Sequence, residues 1–234
     1  MEVVAVKQED MSQYGKTTSC LVYSAHIKIK DIKIYAKDMI QLIEDTSWIK
    51  KLGPIEQTAF DARAKRTIEE LAKNIFSKVE DAPTKDFGEY MVSISAQDVL
   101  NKNLIHIKIP LAELWKEKVT GNPGFDFHTE SDCKIVVFGE AKYSSSDNPY
   151  TEAIKQILSF ITLRKDDSEL SDLSHFVSDD AKTAYLDGKK AYVAAFSINS
   201  LNPSNIIANV LKSTNIDQLL AYPKLFVVGV EVDV

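Results

Sequence analysis

The chain has 234 residues, 44% of them hydrophobic and 26% charged, which is length and apolar content enough for one large or two small packed domains. With 8 Gly and 7 Pro it is neither collagen-like nor a Pro/Gly-rich disordered chain, and two cysteines, Cys20 and Cys133, are too few for a disulfide framework or a thiolate zinc site. A net charge of −6 argues against a protein that holds nucleic acid by bulk electrostatics, because that mode needs clustered Lys and Arg against the phosphates.

The N-terminus turns polar at Lys7-Gln8-Glu9-Asp10, which is neither a signal peptide nor a lipidation motif, and no apolar run approaches the ~18 residues of a membrane span. These features predict a cytoplasmic protein with no membrane partner, and the first ~20 residues are expected to be loosely held. From Leu21 to Lys30, Tyr23, Ala25, Ile27 and Ile29 alternate with polar residues, as in a half-buried strand, and Ile34 to Ile43 reads as a helix. Gly53-Pro54 breaks the chain. Thr58 to Val79 then sets Phe60, Ala64, Ile68, Leu71 and Ile75 at helical spacing, and Asp81-Ala82-Pro83 ends that helix and marks a boundary between subregions 1–82 and 83–234.

Asp86 to about Leu100 begins like a helix, with Asp86 and Glu89 as a capping pair. Leu104 to Ile109 places Ile105, Ile107 and Ile109 on one face of a strand that stops at Pro110, and Leu111 to Val119 reads as a short helix before the turn Gly121-Asn122-Pro123-Gly124. Phe125–Thr129 and Lys134–Tyr143 form a hairpin across Glu130-Ser131-Asp132. Asn148-Pro149 opens a helix to about Arg164 with a broad apolar face. An Asp- and Ser-rich stretch from Asp166 to Asp180 reads as an exposed loop, followed by a strand at Ala191–Ile198, a helix near Ser204–Leu211 and a buried strand at Leu225–Val230. The pattern is α/β, a mixed sandwich of strands and helices.

Chemistry concentrates in Gly124-Phe-Asp126-Phe-His128 and in Ile135-Val-Val-Phe-Gly-Glu140-Ala-Lys142. Strand alternation puts Glu140 and Lys142 on one face and Asp126 and His128 on one face of the neighbouring strand, and the right register brings them together. Two carboxylates beside one ammonium at the end of apolar strands are costly unless an ion pair or a divalent cation compensates them. Mg²⁺ (or Mn²⁺) suits carboxylate oxygens and keeps waters, and a neighbouring Lys can orient water and offset charge on a phosphate, as phosphodiester hydrolysis needs. The bare pattern of acid, any residue, Lys recurs at Asp31-Lys33, Asp132-Lys134, Asp180-Lys182 and Asp187-Lys189; only Glu140-Ala-Lys142 ends an apolar run behind a Gly-Phe-Asp strand.

In that setting Asp126, Glu140 and Lys142 resemble the PD-(D/E)XK nuclease superfamily, although Phe125 stands where the motif has Pro. The resemblance implies a restriction-endonuclease-like core over residues 83–234, a central mixed sheet flanked by helices, with an N-terminal strand/helix extension over 1–82. It also implies that an acidic residue from an upstream helix joins the metal site, and the matching position is Glu89 in Phe87-Gly88-Glu89. The order Phe-Gly-Glu, Gly-Phe-Asp, Phe-Gly-Glu-Ala-Lys-Tyr, then a helix and a terminal Val-Val-Gly-Val-Glu-Val strand, is similar to the nuclease subunit of the Hachiman antiphage defence system. That similarity implies a DNA substrate, a helicase partner and a defence role. The rival readings are a non-catalytic member of the same fold that binds nucleic acid or scaffolds a complex, and an unrelated α/β protein in which Glu140 and Lys142 are a structural ion pair.

Each further residue has a structural reading beside the functional one. The Asp86 capping pair alone would explain Glu89. His128 can touch a phosphate or be a hydrogen-bonded structural histidine, and Lys155 and Gln156, early in the helix behind the site, can contact substrate or simply face solvent. His26, His106 and His175 lack ligand spacing. Ser144-Ser145-Ser146 lacks a Gly-x-Ser-x-Gly elbow and there is no Gly-rich phosphate loop, which removes serine-hydrolase and nucleotide-hydrolysing readings.

Overall fold

The computed structural model describes residues 1–78, 83–116 and 124–232. Their seven-stranded sheet runs in the order β1-β2-β7-β6-β5-β4-β3, with β1 at Glu2–Glu9, β2 at Leu21–Ile29, β3 at Ile107–Lys108, β4 at Phe127–Glu130, β5 at Val136–Lys142, β6 at Lys190–Ile198 and β7 at Lys224–Val232. The middle strands β2, β7, β6 and β5 are mutually parallel; β1 pairs antiparallel with β2, β4 with β5 and β3 with β4. Parallel strands are covered on both faces and therefore read as continuous apolar runs, as Ala191 to Phe196 does. Val193, Ala195, Phe226 and Val228 face a core built with α1 (Ile32–Glu44) and α3 (Lys85–Leu104), while Tyr192, Ala194, Phe196 and Val227 face the opposite core with α5 (Tyr150–Thr162) and α8 (Pro203–Lys212). This is the mixed, helix-flanked α/β sandwich expected.

The helix expected after Gly53-Pro54 forms as α2 (Pro54–Glu70), with Pro at its first turn, and continues as a wider π-helical turn over Leu71–Ile75. The boundary expected at Asp81-Ala82 and the turn residues Gly121, Asn122 and Pro123 lie outside the described residues.

Several elements differ from the sequence reading, each for a physical reason. The first residues are not loose: β1 pairs along β2 from Glu2 opposite Lys28 to Glu9 opposite Val22, because an exposed edge of β2 would leave its backbone groups unpaired. The strand expected over 104–109 shrinks to two residues because α3 runs on to Leu104 and ends at Ile105 in the left-handed conformation (φ 58°), leaving Ile105 and Ile107 exposed and Ile109 buried. The helix expected over 111–119 is described only as α4 (Ala112–Trp115). The Asp- and Ser-rich stretch is helical, as α6 (Lys165–Leu173) and α7 (Asp179–Leu186), and it buries two acids. Asp166 is 1% exposed and takes Lys190 and Tyr192 as partners, and Glu169 is 8% exposed beside Lys116 and His128. These two acids are paired and buried, while Asp179 and Asp180 face solvent. Among the described residues, no helix is long and apolar enough to cross a membrane.

Candidate active site

The expected hairpin forms, with Phe127 opposite Gly139 and His128 opposite Phe138. Asp126 sits one residue ahead of β4. Its N–H donates to the Gly139 carbonyl at 3.0 Å, and its Oδ2 accepts the N–H of Ala141 at 2.8 Å. The carboxylate is thereby held against the backbone link between Glu140 and Lys142. Lys142 Nζ donates to Glu140 Oε1 at 2.6 Å and to the Ala141 carbonyl at 3.2 Å. Glu140 is in the sheet interior, opposite Ala194 of β6, and its side chain is 0% exposed. One of its oxygens is held by Lys142; the other, Oε2, is buried with no hydrogen-bond partner. The three residues named from sequence therefore converge.

Electrostatics follow from that crowding. Burial, and then the charge of Asp126, push the Glu140 carboxyl well above the ordinary 4.5. Burial likewise raises Asp126, against the pull of Lys142 and the Ala141 N–H. Burial would lower the Lys142 ammonium, but Glu140 and Asp126 outweigh it and hold the group above its usual value. One ammonium faces more negative charge than it can neutralise.

Glu89 approaches from α3. Thr84, rather than Asp86, caps that helix, its hydroxyl accepting the N–H of Phe87 at 3.3 Å, so the expected Asp86 capping pair is replaced and does not account for Glu89. Gly88 brings α3 against the end of β5, because a Cβ there would overlap the ring of Tyr143. Glu89 and Asp126 line one cavity of about 260 Å³ together with Glu70, Asp86 and Glu113. Burial, with Asp126 acting in the same sense and Lys142 against, raises the Glu89 carboxyl.

His128 does not share the site. Its ring is fully buried beside Trp115, Phe125 and Phe138, and Nε2 bonds Glu169 Oε2 at 2.8 Å. The expected common face with Asp126 fails because Asp126 precedes the strand and turns toward β5 and α3. Lys155 is exposed and Gln156 half-buried on α5, and among the described residues no bond ties either to Asp126, Glu140 or Lys142.

Two residues beside the site were not singled out from sequence. Glu169 Oε1 accepts the N–H of Phe125 at 2.9 Å and Lys116 Nζ at 2.6 Å, and Lys116 also donates to the Phe125 carbonyl. A usable signal existed for Glu169: Asp166, Glu169 and Leu173 recur at helical spacing and form the buried face of α6. Nothing in the sequence distinguishes Lys116 from a surface lysine.

Among the described residues no group of three or more His, Cys, Asp or Glu side chains is arranged to hold a metal ion. What the site could offer a cation is two carboxylates, Asp126 and Glu140; the Ala141 carbonyl accepts from Lys142 Nζ. Mg²⁺ is commonly held by one or two carboxylates and keeps several of its waters, so this pair fits it, and the unpartnered Glu140 Oε2 is the oxygen such an ion would satisfy.

Compared with known proteins, the chain matches the family model HamA over residues 9–219, a span that contains Glu89, Asp126, Glu140 and Lys142. No curated protein and no solved structure matches.

Proposed function

This chain belongs to the HamA family, a component of the multi-protein Hachiman antiphage defence system, and on that premise we propose that it is a metal-dependent DNA nuclease that works in the cytoplasm with a helicase partner. The observation that carries the reading is Glu140: a fully buried carboxylate, one oxygen on Lys142 and the other unpartnered, with Asp126 drawn against the same strand. Burial and the neighbouring Asp126 make this carboxyl hard to ionise, and a divalent cation within reach of it would offset that cost.

Asp126 and Glu140 would hold Mg²⁺ (or Mn²⁺), with Glu89 adding negative charge from across the cavity. The ion supplies Lewis-acid stabilisation of the charge that builds on the phosphate. Lys142, kept ionised by its two carboxylate neighbours, donates from Nζ to orient the attacking water and to offset developing charge at the phosphoryl oxygens. Asp126 keeps its direction through the Ala141 N–H, so the carboxylate does not swing away as substrate enters. The net charge of −6 supports the helicase partner, since a chain this acidic gains little from long-range attraction to DNA and benefits from a subunit that presents the strand.

The test is a cleavage assay on plasmid and linear DNA with Mg²⁺, wild type against Glu140→Ala, with and without the product of the adjacent gene. Cleavage by the wild type that disappears in Glu140→Ala is expected; undiminished Mg²⁺-dependent cleavage by a Glu140→Ala/Lys142→Ala double variant refutes the assignment.

A further inference from the structure

Asp126 can serve a cation only if the peptide leading into it keeps one orientation, and that peptide is gripped from outside the hairpin. The Phe125–Asp126 amide has its carbonyl bonded by Lys116 Nζ and its N–H bonded to the Gly139 carbonyl at 3.0 Å. One residue earlier, the Phe125 N–H is held by Glu169 Oε1 at 2.9 Å, and the same oxygen holds Lys116 at 2.6 Å. The second oxygen of Glu169 is taken by His128 Nε2 at 2.8 Å. Every polar atom of the Glu169 carboxylate is therefore used, and its partners flank Asp126 on both sides in sequence. The close fit extends to Gly124, where a Cβ would overlap Glu169 Oε1. Phe125 also offers an N–H that a proline at this position would lack.

An arrangement of this kind is expensive. Glu169 is 7% exposed as a side chain and Lys116 19%, and well-packed apolar residues often stabilise a fold as well as a buried ion pair does. The same helix carries a second buried acid, Asp166, which is paired with Lys190 and bonded by Tyr192 and makes no hydrogen bond to Phe125 or Asp126. Asp166 is the internal comparison: similar burial, same helix, but no hydrogen bond or ion pair to Phe125 or Asp126, which it reaches only through the Tyr192 ring beside Phe125.

We propose that Glu169 and Lys116 are positioning residues that clamp the Phe125 backbone and so aim the Asp126 carboxylate at the cation. The inference rests on the nuclease reading, in which Asp126 is a metal ligand. Orienting partners of ligands commonly contribute 10- to 100-fold to metal affinity.

The test uses the full chain and Mn²⁺ alone, titrated by electron paramagnetic resonance at a temperature below each variant's unfolding midpoint. Glu169→Gln and Lys116→Met are expected to weaken the Asp126-dependent site by about 10- to 100-fold. Asp166→Asn is expected to lower the unfolding midpoint and leave Mn²⁺ affinity at the wild-type value, and Asp126→Asn to abolish that site. Wild-type affinity in both clamp variants overturns the clamp while the metal site stands, and so does an equal loss in Asp166→Asn, which would reduce the effect to weakening of α6. A wild-type chain that binds no Mn²⁺, or an Asp126→Asn variant that binds it unchanged, overturns the site reading and the clamp with it. Should Glu169→Gln fail to fold, Lys116→Met decides alone.

Discussion

Asp126 is tied to Ala141 by a 2.8 Å hydrogen bond from the strand backbone to Oδ2, so an acidic side chain that precedes one strand is oriented by the strand that carries its two partners. An asparagine can accept the same N–H through its amide oxygen but brings no negative charge. Asp126→Asn is therefore expected to keep the fold, with a stability change within about 1 kcal/mol, and to reduce Mg²⁺-dependent cleavage by about 10²- to 10³-fold. Initial cleavage rates and a thermal melt on the same preparation check both halves.

With the proposed metal site, Glu140 should make stability depend jointly on pH and metal. Its carboxyl titrates well above 4.5 in the folded chain because it is buried and faces Asp126. The folded state then holds a proton that the unfolded state releases, so the contribution of this group is full below pH 4.5 and is lost as pH rises through the raised folded value. Without metal, the wild type should lose stability relative to Glu140→Gln as pH rises, and Mg²⁺ should recover it, by about 2.7 kcal/mol at a hundredfold excess over Kd. Melting curves of both proteins in chelator and in Mg²⁺ across pH 5 to 8 measure this; identical pH slopes would sink it.

Lys142 should separate chemistry from binding. It contributes a hydrogen bond to Glu140 Oε1 but no lone pair to a cation. Lys142→Met is expected to retain Mn²⁺ binding within a few-fold while cleavage falls by about 10²- to 10³-fold. Parallel loss of both would assign the lysine to holding the carboxylates in place.

His106 supplies a pH dependence remote from the site. It is buried, its Nδ1 lies 2.9 Å from Thr129 Oγ1, and burial, with the nearby Lys224 charge, pushes its pKa down to about 4. A histidine kept neutral in the fold contributes stability that is complete above its ordinary 6.5 and is lost as pH falls toward about 4. Replacing it by Gln should flatten the acid side of the stability profile between those two values, as read from unfolding midpoints at a series of pH values. An unchanged profile would mean that other groups dominate there.

The converging residues Asp126, Glu140 and Lys142 were legible because three signals coincide at them: an apolar strand that ends in charge, a Gly-Phe-Asp strand one hairpin earlier, and a helix behind. Period-two alternation likewise identified β2, and a continuous apolar run identified β6, which is covered on both faces. What local pattern could not show was charge paired over long sequence distances. Glu169 and Lys116 lie 53 residues apart, and neither has a local reason to be buried. The capping of α3 was misread for a smaller reason: Thr84 and Asp86 both precede an apolar run, and only the chain direction at Thr84, with φ −68° and ψ 163°, decides between them.

The last expectation concerns how α3 reaches the site. Gly88 is inside that helix, where alanine would ordinarily be favoured by about 1 kcal/mol. Here a Cβ would meet the ring of Tyr143, the residue immediately after Lys142. The ring is mostly buried and cannot swing out freely, so either α3 or the end of β5 must move. Overpacking of this kind costs about 1–3 kcal/mol, which outweighs the helix preference. Gly88→Ala should therefore melt earlier than the wild type and cleave more slowly, since the displacement separates Glu89 from Asp126 and Lys142. Adding Tyr143→Ala should relieve the overlap and restore part of the cleavage rate. If Gly88→Ala instead melts later with full activity, the contact between α3 and β5 is looser than described, and Glu89 loses its claim to a place at the site.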